Sequence, residues 1–189
     1  MRLNIPNMLT LLRIALIPVF VLVFYLPYGW VHIATAAIFG LAAITDWLDG
    51  YLARRLGQMS AFGAFLDPVA DKLMVAVALV LLVDVNPTGL HGGILAVPAA
   101  IIIGREIAIS ALREWMAEIG ERAQVAVSII GKIKTTAQMI AILLLLYRQP
   151  VGDIPILTLG LIALYVAAIL TLWSMVIYVR AAWPVLARD

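Results

Sequence analysis

Four aspartates, Asp46, Asp49, Asp67 and Asp71, fall within 26 residues of a chain that is otherwise strongly apolar. Asp46 and Asp49 are three apart and Asp67 and Asp71 four apart, so on helices each pair shares a face. Carboxylates gathered in this way repel one another unless protons or cations neutralise them. One or two hard divalent ions, Mg2+ or Mn2+, are the economical solution, because both prefer oxygen ligands. Between the pairs lie Gly50, Ala53, Arg54 and Gly63. Gly50 has no side chain to keep a ligand from the helix, Ala53 keeps the same face small, and the guanidinium of Arg54 suits a phosphate. Small floor, metal-bearing walls and one fork-shaped cation describe a diphosphate pocket, and phosphoryl transfer is the chemistry it would perform.

The elements that must hold these residues are membrane helices. Of the 189 residues 65% are hydrophobic and 13% charged, and the mean hydropathy is +1.08. A soluble domain carries about 45–50% apolar and about 25% charged residues, so lipid must be the solvent for most of this chain. A spanning helix needs about 20 mostly apolar residues, and about six such segments occur, at 7–26, 31–56, 61–83, 94–116, 125–147 and 154–179. Turn residues separate them, among them Pro27 and Gly29, Asn86 to Gly89, Gly120, and Pro150 to Pro155. The expected fold is therefore all-α, one integral membrane domain over residues 1–189, with residues 1–6 a short interfacial lead-in. Pro68 leaves the start of the third segment open: Asp67 caps it, or Pro68 sits within an early turn.

Six spans put both termini on one side. Twelve of the thirteen basic residues go with them, and Arg148 alone stays opposite. The bias of Lys and Arg toward the inner face makes that side cytoplasmic. Asp46 and Asp49 end the second segment and Asp67 and Asp71 begin the third, so all four lie at that edge. Acids marking an ion-transport route would spread across the membrane depth. Pairing with arginines or helix capping accounts for any one of these acids more readily than for all four. There are no cysteines and only two histidines, His32 and His91, without zinc-ligand spacing. A pI near 9.1 on a formal charge of +2, with no basic stripe between stacking aromatics, excludes a nucleic-acid binder.

In full, the string is Asp46-Trp47-Leu48-Asp49-Gly50-Tyr51-Leu52-Ala53-Arg54, eight residues, Gly63, three residues, Asp67, three residues, Asp71. It resembles, without departure, the D-x-x-D-G-x-x-A-R-x8-G-x-x-x-D-x-x-x-D signature of the CDP-alcohol phosphatidyltransferases. The likeness extends to the opening Asn4 to Arg13, to Phe62 to Lys72, to Arg105 to Trp115 and to Gly131 to Gln138, most closely to bacterial members that use glycerol 3-phosphate. It implies a bacterial inner-membrane homodimer whose active site faces the cytoplasm, transferring the phosphatidyl group of CDP-diacylglycerol to sn-glycerol 3-phosphate, with phosphatidylglycerol phosphate and CMP as products. It further implies that Asp46, Asp49, Asp67 and Asp71 ligate metal, two ions by the family pattern, that Asp71 is also the general base, and that Gly50, Ala53, Arg54 and Gly63 help Asp46 and Asp49 bind the CDP-lipid. The signature describes the donor half alone, so inositol phosphate, serine or phosphatidylglycerol stay open as acceptors.

Glycerol 3-phosphate is a dianion and needs cations of its own. Arg105, Arg113, Lys132 and Lys134 remain once the signature is assigned, with Thr10 or Arg13 as supplements. Arg105 lies about a dozen residues into its segment, a strained depth from which to reach water. Glu106, Glu114 and Glu118 are the alternative partners for these cations, although Arg105 and Glu106, as sequence neighbours, point apart and are poor partners for each other.

Overall fold

The computed structural model of the chain describes residues 5–56, 61–120 and 129–186. Six helices make up the fold: α1 (Ile5–Phe24), α2 (Val31–Leu56), α3 (Ala61–Val85), α4 (Gly93–Glu118), α5 (Ile129–Tyr147) and α6 (Ile156–Leu186). Among the described residues there is no strand, only an isolated bridge between Val151 and Ile154. The six apolar segments read from the sequence correspond one for one to these helices, with ends at the turn residues. Gly120 follows α4 at φ +82° and Gly152 precedes α6 at φ +58°, left-handed conformations that glycine adopts without steric cost. α3 begins at Ala61, so Pro68 lies inside the helix and not at its start. A proline there gives no N–H to the carbonyl four residues back. Ile5 and Pro6 open α1, and the rest of the expected lead-in lies outside the described residues.

Four stretches are long and apolar enough to cross a membrane: Asn7–Phe24, Val31–Asp49, Gly93–Glu118 and Ile156–Pro184. α5 contributes a shorter apolar stretch, Ile133–Tyr147. α3 carries Asp67, Asp71 and Lys72 in its first half, which leaves 73–83 as its uncharged run. Large apolar side chains such as Leu22, Phe65, Ile107, Ile169 and Trp173 point outward, a surface that water would not tolerate over so much of the molecule. The chain is a multi-pass membrane protein.

α3 is the hub of the bundle. It touches α1, α2, α4 and α5, while α1 also lies along α2, α4 along α6, and α5 along both α6 and α2. Phe20, Phe39, Leu79, Leu82, Ile142, Leu145 and Leu164 fill the middle. Lipid gives helices no hydrophobic reason to associate, so close approach at small residues matters more. Gly160 shows this between α5 and α6: a Cβ there would sit 3.0 Å from Leu145 Cγ and 3.1 Å from Leu144 Cβ. Gly160→Val is expected to cost about 1–3 kcal/mol through overpacking, seen as earlier thermal unfolding in detergent; unchanged unfolding would mean that the two helices part freely at this point.

Polar pairings identify the two ends of the bundle. Arg13 with Asp49, Lys72 with Ser110 and Lys134 with Glu106 join the first halves of α1, α3 and α5 to the second halves of α2 and α4, and Arg105 with Ser174 joins α4 to the second half of α6. At the other end the Tyr25 hydroxyl donates to Asp84 at 2.8 Å, and the Arg148 guanidinium lies 5.0 Å from the centre of the Phe24 ring. The one basic residue that the sequence assigned to the far side is thus held there by an aromatic face.

Candidate active site

Two adjoining clusters occupy the basic end. The first is built by α1 and α2. Thr10 and Arg13 are three apart and share a face of α1, and Asp46 and Asp49 share a face of α2. Arg13 donates through Nη1 to Asp46 and through Nη2 to Asp49, and Thr10 lies 3.4 Å from the same Asp49 oxygen. Arg13, Thr10 and Asp49 are buried, whereas the Asp46 side chain keeps 38% of its exposure. A cation at this depth in an apolar bundle needs carboxylates, just as the carboxylates need a cation. Arg13 supplies one positive charge to two acids, so the cluster keeps negative charge in excess. The two carboxylates already converge on a single cationic group, and every donor they offer is a hard oxygen. This suits Mg2+ or Mn2+ better than a softer metal.

The second cluster lines a cavity of about 510 Å³ between α3, α4, α5 and α6. Asp71 and Lys72 reach it from α3, Arg105, Glu106 and Arg113 from α4, Lys134 and Gln138 from α5, and Tyr178 from α6. Glu106 is the organising acid. Its Oε1 accepts from Arg105 Nη1 at 3.1 Å and from Lys134 Nζ. Arg105 is fixed further by Ser174, which accepts from its Nη2 at 3.1 Å, and by the Tyr178 ring, whose centre lies 5.2 Å from the guanidinium carbon. The expectation that Arg105 and Glu106 are poor partners is therefore corrected. Adjacent residues do leave a helix about 100° apart, but both side chains are long, and Lys134 and Ser174 draw their ends into one space. Among the described lining residues four are basic and two acidic, leaving two positive charges in excess.

The residues expected from the sequence separate accordingly. Asp71, Arg105, Arg113 and Lys134 come together around the cavity, Arg113 at its exposed rim. Thr10 lies with Asp49 and does not line the cavity. Gly63 is buried. Gly50, Ala53, Arg54, Asp67 and Lys132 belong to helices, but their side chains and surroundings lie outside the described residues. Among the described residues no three metal-binding side chains meet, and Asp67 is not in that set. Arg13, expected as a supplement to the cavity's cations, lies on Asp46 and Asp49 and does not line the cavity. Glu106 is the partner that the sequence offered for the cations, and only Ser174 and Gln138 acquire importance here. Arg13 had a visible signal, a lone cation in an apolar run, whose partner the sequence does not name.

Residues 3–173 match the family model for CDP-alcohol phosphatidyltransferase. The chain belongs to this family. As a CDP-alcohol phosphatidyltransferase it is similar along nearly its whole length to relatives named CDP-diacylglycerol–glycerol-3-phosphate 3-phosphatidyltransferase. It is 59% identical over 182 residues to that of Sodalis glossinidius, covering 96% of both chains. Identity is 58% over 182 residues with the protein of Pectobacterium atrosepticum, again 96% of both. With that of Pseudomonas fluorescens it is 57% over 188 residues, 98% of this chain and 93% of the relative. A phosphatidyltransferase of this family must place a donor beside an acceptor, and the two adjoining clusters, one acidic and one basic, offer a place for each.

Proposed function

We propose that this CDP-alcohol phosphatidyltransferase moves the phosphatidyl group of CDP-diacylglycerol to sn-glycerol 3-phosphate, giving phosphatidylglycerol phosphate and CMP. The observation that carries the reading is the cavity in which two carboxylates, Asp71 and Glu106, share space with four cations, Lys72, Arg105, Arg113 and Lys134. The surplus of two positive charges complements a phosphate dianion, and a neutral acceptor such as serine would leave it unexplained. The full-length similarity to relatives that bear the name of this transferase points the same way.

In this reading Asp46, Asp49, Asp67 and Asp71 would hold two Mg2+ or Mn2+ ions, which when bound offset charge developing on the diphosphate and on departing CMP. Gly50, Ala53, Arg54 and Gly63 receive the nucleotide. Arg105 and Lys134, preset by Glu106, hold the acceptor phosphate, with Lys132 and Arg113 beside them. Asp71 takes the proton from an acceptor hydroxyl within hydrogen-bond reach. That oxygen attacks the lipid-side phosphorus, its bond to phosphorus forms, and the bond to the CMP oxygen breaks. Phosphoryl transfer asks the protein mainly for position and charge, and both are present. The reading extends to a homodimer in a bacterial inner membrane, with both termini and the basic end in the cytoplasm, where nucleotide and soluble acceptor are found.

Purified protein given CDP-diacylglycerol, Mg2+ or Mn2+ and each acceptor in turn tests this, with the product lipid identified. CMP release should require glycerol 3-phosphate; a product formed only with inositol phosphate, serine or phosphatidylglycerol would replace the acceptor, and ion flux without CMP would replace the whole reading. Within the cavity, Lys134→Gln or Arg105→Gln should raise the KM for glycerol 3-phosphate about ten- to a hundredfold, the scale of one charge-assisted hydrogen bond. The KM for CDP-diacylglycerol should hardly move, and equal rises in both would count against separate donor and acceptor pockets.

A further inference from the structure

Gln138 lies four residues after Lys134 on α5, on the same face, and lines the cavity that holds Asp71. Its side chain is buried, yet Oε1 has no hydrogen-bond partner among the described residues. An orphaned buried carbonyl keeps the full cost of leaving water, and buried polar groups in native proteins are rarely left so. Lys134 and Arg105 donate to Glu106, Arg105 also to Ser174, and Lys72 to Ser110, none of them to Gln138, and Arg105 Nε on the same cavity is likewise buried without a partner among the described residues. A molecule bound in the cavity that brings a donor hydrogen would satisfy Gln138.

Glycerol 3-phosphate, the acceptor in the reading above and the basis of this inference, has hydrogen-bond donors only in its two hydroxyls, because the ionised phosphate only accepts. We propose that Gln138 reads the secondary hydroxyl of the acceptor, and so decides that the primary hydroxyl is the one presented to Asp71. Arg105 and Lys134 hold the phosphate. The secondary hydroxyl, between the two ends of the molecule, donates to Gln138 Oε1 on the same helix as Lys134. The primary hydroxyl at the far end is left for Asp71 on α3. There its oxygen bonds to phosphorus, its proton passes to the Asp71 carboxylate, and the phosphorus–oxygen bond to CMP breaks. A neutral amide accepts this hydrogen bond without adding negative charge beside the phosphate, which a glutamate at the same place would do.

The test compares glycerol 3-phosphate with 3-hydroxypropyl phosphate, which lacks only the secondary hydroxyl. The wild type should favour glycerol 3-phosphate in kcat/KM by at least about tenfold, since a site built around a hydroxyl rejects the analogue without it. Gln138→Leu should bring glycerol 3-phosphate down to the level of the analogue, changing the rate with the analogue by less than about threefold. Its thermal stability should match or exceed wild type, because an unsatisfied acceptor is removed. Gln138→Glu, which keeps an acceptor oxygen, should slow both reactions and retain the preference, and so decides the matter should the leucine variant not fold. Equal use of the two acceptors by the wild type, a parallel fall of both in Gln138→Leu, or loss of the preference in Gln138→Glu overturns the proposal. CMP release from the wild type with neither acceptor is a different failure, that of the glycerol 3-phosphate reading itself.

Discussion

Asp71→Asn is expected to lower kcat by about 10²–10⁴-fold, the range that a positioned general base contributes. The asparagine has nearly the same shape and still meets the cavity, so the KM for glycerol 3-phosphate should move far less than kcat. Asp71 is the one acid of the signature whose side chain is seen among the acceptor cations, with Lys72 beside it in sequence and Arg105, Glu106 and Lys134 around the same space. That placement distinguishes it from Asp46 and Asp49, which are turned toward Arg13. The measurement is steady-state turnover alongside Mn2+ binding by electron paramagnetic resonance. Near-normal turnover with Mn2+ still bound would falsify the general-base role. Loss of Mn2+ binding together with turnover would move Asp71 from proton transfer to ligation alone.

The second large effect belongs to Arg13. Arg13→Gln removes the guanidinium from buried Asp49, and breaking a buried ion pair by removing one partner costs about 3–5 kcal/mol. Asp46, partly exposed, carries less of that cost. Chelator-treated Arg13→Gln should therefore unfold well below the wild type. Mg2+ or Mn2+ should restore more stability to the variant than it adds to the wild type, because the ion then becomes the main neutraliser of the aspartate pair. Arg13→Lys, which keeps the charge but not the fork that reaches both carboxylates, should fall between them. Thermal unfolding in detergent, with chelator and with added ion, reads all three; coincident curves for wild type and variant would show that the buried pair contributes nothing to stability.

These two sites also show how differently the residues could be read. Asp71 was legible because everything that marks it is local: its four-residue distance from Asp67, its place in the signature and its position early in a helix. Arg13 was visible as an intruder in an apolar run, but its partners lie 33 and 36 residues away on another helix. The basic residues of the acceptor pocket were half legible. Their number and common edge follow from hydropathy and charge, whereas the sharing of Glu106 between Arg105 and Lys134 does not. As sequence neighbours, Arg105 and Glu106 leave α4 in different directions. The flexible ends of long side chains are placed by what stands opposite them, here Lys134 and Ser174. Gln138 had no sequence signal beyond lying in a stretch that resembles the family, because an unsatisfied carbonyl exists only once its surroundings are packed.

By itself the sequence determined six helices, the end of the bundle that collects the basic residues, and the acids and small residues that make up the family signature. Each of these follows from helical periodicity, from the cost of placing charge in lipid, or from fixed spacing along one stretch of chain. Only the tertiary structure decided that α3 is the hub, that Arg13 ties α1 to the aspartates of α2, and that Asp71 shares a cavity with four cations and with Glu106 and Gln138. Spacing within a helix is set by its 3.6-residue turn, whereas the choice of neighbours depends on how all six helices pack at once. That packing is what brings the aspartates of α2 and the cavity of α3 to α6 to the same end of the bundle.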